Sequence, residues 1–233
     1  MLVSINGEIQ AMEEAKISVN DRGFLYGEGV FDVMSAFYDK ILDPFEHIKR
    51  LEEACIEVGI SFPWTRKSIV EEIQVMLKRL SFPKAYIRIM ITAGDGFGLF
   101  SRPQHANKFI FIKQVSFASK KGCAKGVKLC LYRQRNLARN IKKIDYSSSI
   151  KAARDISTMG GDDILYHTDT GRITESSVSN IFFVKKNHNK ITVLTPPADG
   201  TILPGVTRAS VLKIMEENKI NFKIRVIKAD ELS

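Results

Sequence analysis

No apolar run in the 233 residues approaches the roughly 20 that a membrane-spanning helix needs, which argues against a membrane protein. The start, Met1 followed by LVSINGEIQ, lacks a basic patch, a long apolar core and a small-residue cleavage site, so it does not read as a secretion signal. The expectation is a cytoplasmic protein. Cysteine is scarce: Cys55, Cys123 and Cys130 are odd in number and without CxxC spacing. They read as reduced thiols, not as a disulfide frame or a zinc centre, and no metal site is expected. Repeats and low-complexity tracts are lacking. So is any basic cluster interleaved with aromatics, although the net charge is +9. The lysines and arginines are spread along the chain, so the charge reads as a solvated surface that attracts small anions, with no nucleic-acid partner.

What is there is an ordinary globular composition, 44% hydrophobic and 26% charged, in a chain long enough to bury a core. Asn6-Gly7 signals a hairpin turn. Apolar strands are expected at Val30 to Phe37, Tyr86 to Thr92 and Phe109 to Val115. Helical periods follow Pro44 and run from Arg66 to Leu80. Gly94, Gly96 and Gly98 suggest a flexible loop. The segment 117–126, small, basic and broken by glycine, is the best linker candidate. Beyond it come strands at Val127 to Tyr132, Ile164 to His167, Ile181 to Val184, Ile191 to Leu194 and Ile224 to Ile227. Asn187-His188-Asn189 reads as a turn, and helices are expected at Ser147 to Met159 and Gly205 to Glu217. This is a mixed α/β (α+β) pattern in two unequal groups, not a regular βαβ alternation.

Three features of the second half carry chemistry. Leu203-Pro204-Gly205-Val206-Thr207-Arg208 opens a helix, and free backbone N–H groups beside a hydroxyl make an anion site there. The bland alternative is an ordinary helix entry with Thr207 in solvent. Glu175, in TESSVSN before an apolar strand, is by itself a strand-edge carboxylate. Beside a pyridine nitrogen it would keep that ring protonated and able to stabilise a carbanion. Lys142, in Asn140-Ile141-Lys142-Lys143-Ile144-Asp145-Tyr146, means nothing alone in so lysine-rich a chain. A lysine that forms a Schiff base must be partly buried with a depressed pKa.

These spacings resemble the class IV aminotransferases, the fold type IV pyridoxal-phosphate enzymes, which include branched-chain aminotransferase, D-amino-acid aminotransferase and 4-amino-4-deoxychorismate lyase. Asp21-Arg22-Gly23, Gly27-Glu28-Gly29-Val30-Phe31-Asp32 and His47-Ile48-Lys49-Arg50-Leu51 extend the likeness through the first half, so that it runs from about Ile5 to Ser233. The resemblance implies a two-domain fold: a smaller domain at 1–116, a linker at 117–122, and a domain at 123–233 that carries the Schiff-base lysine, with the cofactor cleft between the domains. It implies pyridoxal 5'-phosphate as cofactor and a homodimer. Lys142 matches the Schiff-base lysine, with Lys143 as the rival that spacing disfavours. Glu175 matches the carboxylate on the pyridine nitrogen. Arg50 matches the arginine on the phosphate, where alone it would read as a surface helix charge. Val206 and Thr207 match the helix start that also holds the phosphate, and Leu203 the apolar residue behind the ring. Tyr146 is matched to the phenolic oxygen. Family members continue some tens of residues past a segment like Ala229-Asp230-Glu231-Leu232, a tail that walls the phosphate; here the chain stops at Ser233.

Arg88 lies where branched-chain aminotransferases carry a carboxylate-binding arginine, and Phe31 is placed with it on the substrate side. Ala93 stands where D-amino-acid aminotransferases and the lyases often carry arginine. The segment Glu46 to Cys55 and the compact length resemble the lyase instead. The expected activity is transfer of an amino group from an α-amino acid to a 2-oxo acid. The lyase reaction, giving 4-aminobenzoate and pyruvate, is the alternative, and a non-catalytic relative the second alternative.

Overall fold

The computed structural model describes residues 1–101, 103, 105–116, 124–134, 140–188 and 190–232. The expected linker at 117–122 lies outside the described residues, as does Asn189. Contacts divide the chain into two compact units: Met1–Ser119 with Lys142–Asp145, and Lys120–Ile141 with Tyr146–Ser233.

The first unit is built on a six-stranded sheet. Its strands are β1 (Leu2–Ile5), β2 (Glu8–Ala11), β3 (Gly29–Phe37), β4 (Lys40–Ile41), β5 (Lys84–Thr92) and β6 (Asn107–Gln114), in the order β2-β1-β6-β5-β3-β4. All neighbours are antiparallel. The β1–β2 hairpin turns on Asn6 (φ 53°) and Gly7 (φ 99°), left-handed positions that Asn-Gly takes at little cost. Between sheet strands the chain forms α1 (Arg22–Tyr26), α2 (Pro44–Glu57) and α3 (Arg66–Leu80). Pro44 starts α2 with a preset φ, and Thr65 caps α3 by accepting from Ser68 N–H at 3.1 Å. The alternation of β5 sends Ala85, Ile87, Ile89 and Ile91 to one face, all fully buried. Ile48, Leu51 and Cys55 of α2 and Ile69, Ile73 and Met76 of α3 are equally buried. At roughly 1.5–3 kcal/mol for each large apolar side chain taken from water, this is the main stabilising term of the unit. Burial pushes the Cys55 thiol up to about 12, and the nearby Glu52 charge adds to the effect. It is a packing residue, not a reactive one.

The loop after β5 is held more firmly than its glycines suggest. Gly94 O accepts from Arg22 N–H at 2.9 Å, and Gly96 N–H donates to Asn20 O at 3.0 Å. Buried Arg22 donates to Gly98 O at 2.7 Å and pairs with Glu28. Asp21 caps α1 and accepts from Thr92 Oγ1 at 2.7 Å and Asn107 Nδ2 at 2.8 Å. Gly94 has φ +87°, and a Cβ there would lie 1.7 Å from the His105 carbonyl oxygen. Gly94→Ala is therefore expected to cost more than the about 1–3 kcal/mol of a left-handed non-glycine residue, because backbone must also shift. Thermal denaturation reads this directly; an unchanged Tm would mean that the loop yields freely.

The second unit contains two three-stranded sheets. One joins β7 (Leu129–Arg133), β8 (Asp163–His167) and β9 (Ile173–Ser176), with α4 (Ser147–Thr158) crossing between the parallel pair β7 and β8. The other joins β10 (Phe183–Asn187), β11 (Lys190–Thr195) and β12 (Phe222–Ile224), with α5 (Val206–Glu217) crossing between parallel β11 and β12. Ala152, Ile156, Ile164 and Tyr166 form one small core; Leu165, Ile173, Leu194 and Ile227 form another. A 3-10 turn, Ala229–Leu232, follows. Two strand expectations are corrected. The strand sought at Ile181 to Val184 starts at Phe183, because Ile181 serves as an anchor whose carbonyl accepts from Thr195 Oγ1 at 2.8 Å. The terminal strand sought at Ile224 to Ile227 is Phe222–Ile224, while Ile227 packs into the second core and accepts from Ile173 N–H at 2.8 Å. Among the described residues no helix is long and apolar enough to cross a membrane.

Candidate active site

Sequence order carries Lys142 with the second domain; its contacts place it with the first unit. Lys142–Ile144 runs as a short antiparallel strand along the start of β3. Phe31 N–H donates to Lys142 O at 2.8 Å, Ile144 N–H donates to Gly29 O at 3.1 Å, and Val30 pairs with Lys143. This addition needs Gly29. A Cβ there would come within 2.8 Å of Ile144 Cδ1 and of Ile91 O.

Strand geometry then decides where the side chains go. Residues directly opposite in a pair share a face. Lys142 therefore shares a face with Phe31, and through the β3–β5 register with Met90, Val33 and Arg88. Lys142 Nζ lies 5.2 Å from the Phe31 ring centroid, and the Arg88 guanidinium carbon lies 4.0 Å from the same centroid. Lys142 is half-buried, whereas Lys143 is exposed. Arg88 Nε is buried without a hydrogen-bond partner among the described residues. A desolvated, unpaired guanidinium N–H is costly unless an acceptor reaches it, and a substrate carboxylate is such an acceptor.

Arg50 behaves differently from a surface helix charge. Its Nε donates to Asp32 Oδ2 and its Nη2 to Asp32 Oδ1, each at 2.8 Å. His47 Nδ1 lies 2.8 Å from Asp32 Oδ1. His47 and Arg50 are one turn apart on α2, and Asp32 is the carboxylate on the helix-facing side of β3, 1% exposed. Burial by itself would raise the Asp32 carboxyl; the hydrogen bonds and charges of His47 and Arg50 outweigh it and hold the group below the ordinary carboxylate value. Sequence reasoning missed this triad. The available signal was a lone acid in an apolar strand, on the face it shares with the core residues Val30, Met34 and Ala36.

In the second unit Glu175 sits in a bulge of β9. From Ile173 to Ser176 is three steps, while their partners His167 and Leu165 are two steps apart, so β9 carries one extra residue at Thr174–Glu175. Bulges re-aim side chains and recur beside functional sites. Glu175 is 6% exposed, and its Oε2 accepts from Leu203 N–H at 3.0 Å and from Asn180 Nδ2 at 3.1 Å. Leu203 thus lies beside the carboxylate. Helix α5 begins at Gly205 with no side-chain cap; Val206 is buried and Thr207 exposed. The first-turn N–H groups have no helical acceptors, so this end carries partial positive charge. Arg208 is 8% exposed and ties α5 down by donating to Pro196 O at 2.8 Å. Tyr146 stands half-buried at the N-cap position of α4.

The first unit therefore brings Phe31, Arg88 and Lys142 together, and holds Arg50 on Asp32. The second brings Glu175, Leu203 and the start of α5 together. Within the first unit there is a half-buried amine, and within the second a buried hydrogen-bonded carboxylate beside an uncapped helix end; taken singly, these are the group types that suit the aldehyde, the ring nitrogen and the phosphate of pyridoxal phosphate.

Comparison with known proteins agrees. The family model for amino-transferase class IV matches residues 29–233. A Methanocaldococcus jannaschii protein named as a branched-chain-amino-acid aminotransferase is 30% identical over 226 residues, covering 94% of this chain and 76% of its own length. A D-alanine aminotransferase of Staphylococcus epidermidis is 26% identical over 234 residues, covering 95% of this chain and 78% of its own. The crystal structure of a branched-chain aminotransferase from the archaeon Thermoproteus uzoniensis, with norvaline, matches at a TM-score of 0.84 and 25% identity, covering 100% of this chain and 80% of that one. The chain belongs to the class IV aminotransferase family, whose members work with pyridoxal phosphate.

Proposed function

We propose that this protein moves the amino group of an α-amino acid to a 2-oxo acid, with Lys142 as the residue that holds the cofactor. The observation that carries the reading is Lys142 on the face of β3 that it shares with Phe31 and Arg88, the last with a buried Nε that has no hydrogen-bond partner among the described residues. Bound pyridoxal phosphate supplies an aldehyde for the amino group and a ring that takes up the electron pair left at the α-carbon. Lys142 would hold the cofactor at rest, and its Nζ, once free, would be the group that carries the α-proton. Arg88 binds the substrate carboxylate, with Phe31 beneath its guanidinium. Glu175 keeps a proton on the ring nitrogen. Arg50 and the N–H groups of Val206 and Thr207 bind the phosphate, Leu203 packs behind the ring, and Tyr146 donates to the phenolic oxygen. Names among the relatives divide between branched-chain amino acids and D-alanine, which supports an α-amino acid with a small or branched apolar side chain as substrate. The same reading has a domain boundary at 117–122 and a homodimer working in the cytoplasm.

The α2 segment Glu46 to Cys55 favours a second reading, the release of pyruvate from 4-amino-4-deoxychorismate. An absorption spectrum separates the cases. The protein is expected to turn yellow with added pyridoxal phosphate, and its band to change when an α-amino acid is added and return with a 2-oxo acid. Pyruvate release without any oxo-acid acceptor would replace the transaminase by the lyase. A protein that stays colourless with excess cofactor would end both.

A further inference from the structure

We infer that Asn180 is a positioning residue that fixes Glu175 against the start of α5; the inference rests on the roles proposed above for Glu175 and for that helix end. A buried carboxylate must have donors, and charged hydrogen bonds are the strong ones. Asn180 supplies one of them. Its Nδ2 donates to Glu175 Oε2 at 3.1 Å and to Leu203 O at 3.0 Å. Leu203 N–H returns to the same Glu175 oxygen at 3.0 Å. Both backbone groups of Leu203 are therefore committed, one to Glu175 and one to Asn180. The other end of the Asn180 amide faces Gly205: a Cβ at Gly205 would sit 1.9 Å from Asn180 Oδ1. Gly205 has φ −68°, an ordinary value for any residue, so the demand for glycine comes from Asn180 and not from the backbone.

The amide can sit only one way round. Flipped, its oxygen would face the Glu175 carboxylate and the Leu203 carbonyl, two acceptors that offer it no proton. One side chain thus spans the carboxylate, the apolar residue beside it and the helix entry. It holds fixed the distance between the group that meets a ring nitrogen and the helix end that meets a phosphate. An aspartate in its place would keep the size, lose the donor and set a second negative charge beside Glu175. That would favour a proton on one of the two carboxylates.

The test uses the full-length, cofactor-loaded protein and the variants Asn180→Ala, Asn180→Asp, Glu175→Gln and Asn180→Ala/Glu175→Gln. Turnover, KM, the pH titration of the bound cofactor's absorbance and Tm are read for each. Losing a charge-assisted hydrogen bond predicts a fall in kcat of about ten- to a hundredfold with KM little changed. The absorbance midpoint moves in Asn180→Ala and Asn180→Asp alike. The double variant loses no more than Glu175→Gln alone, because Asn180 acts through Glu175. Gly205→Ala reproduces the loss in the natural chain and adds little on top of Asn180→Ala. If Asn180→Ala folds poorly, Asn180→Asp gives the same readings at unchanged size. Losses that multiply in the double variant, or a lowered Tm with kcat and titration unchanged, overturn the positioning role while leaving Glu175 in place. A Glu175→Gln protein with natural turnover and titration overturns the role of Glu175, and the role of Asn180 with it.

Discussion

Borohydride treatment of the cofactor-loaded protein is expected to fix the cofactor on one peptide, the one that contains Lys142. Lys142 and Lys143 are adjacent in a segment paired with Gly29–Phe31, so their side chains leave opposite faces of the sheet. Only Lys142 lands beside Phe31, at 5.2 Å from the ring centroid, while Lys143 is exposed. The Schiff-base amine must sit in a partly desolvated site, as Lys142 does and Lys143 does not. Lys142→Ala is expected to abolish the adduct and to lower turnover by roughly a hundred- to ten-thousandfold from the lost proton transfer alone. Lys143→Ala is expected to retain both. Peptide mapping checks the point. A label on Lys143, or on Lys151, which instead pairs with Asp155 at 2.8 Å, would refute the assignment.

Arg50→Ala is expected to act twice, on cofactor affinity and on the fold. Loss of a phosphate contact lowers affinity about ten- to a hundredfold. The second effect follows from the ion pair with Asp32, whose side chains are 13% and 2% exposed for Arg50 and Asp32. Removing one partner strands a buried carboxylate, at a cost of about 3–5 kcal/mol for a fully buried pair and less where Arg50 keeps some water. Asp32→Asn added to Arg50→Ala removes the stranded charge and is expected to recover part of the lost Tm. The pH dependence has a definite sign. The folded-state Asp32 value lies below the unfolded one. Its contribution is complete above the ordinary aspartate value of about 4 and is lost as the pH falls through the lower folded value. The Tm gap between the natural protein and Arg50→Ala therefore narrows in acid below about pH 4. A gap independent of pH across that range would show that Asp32 is not what Arg50 stabilises. Cofactor affinity unchanged in a folded Arg50→Ala would remove its role at the phosphate.

Where a residue's fate depends on its neighbours in sequence, it was legible in advance. The apolar phase of Ile48, Leu51 and Cys55, or of Ile69, Ile73 and Met76, located the two helices, and Pro44 and Thr65 marked their starts. The uncapped helix after Gly205 is as local a feature, and it was found. What escaped are pairings over long sequence separations. Nothing near Asp32 announces that His47 and Arg50 will close on it. Asn180 sits in a serine-rich turn whose composition says only that it bends, and its tie to Leu203 spans 23 positions. Ile181 reads as strand because it is apolar and β-branched, yet it lies before β10 and offers its carbonyl to Thr195. Lys142 is the sharpest case. Its motif was readable, but its strand partner is encoded more than a hundred residues earlier, in the glycine at 29 that leaves room for Ile144.

That late-added strand has a consequence for how the chain is made. Residues Met1–Ser119 leave the ribosome before Lys142–Asp145 exist, although those four residues belong to the same compact unit. The first unit cannot complete itself until those four residues emerge. Its β3 edge at Gly29–Phe31 waits, unsatisfied, for a segment that emerges seconds later at about 5–20 residues per second. Open edges of apolar strands invite other chains. Nascent protein is thus most exposed to aggregation in that interval, and a fragment ending near residue 119 would carry the same bare edge permanently.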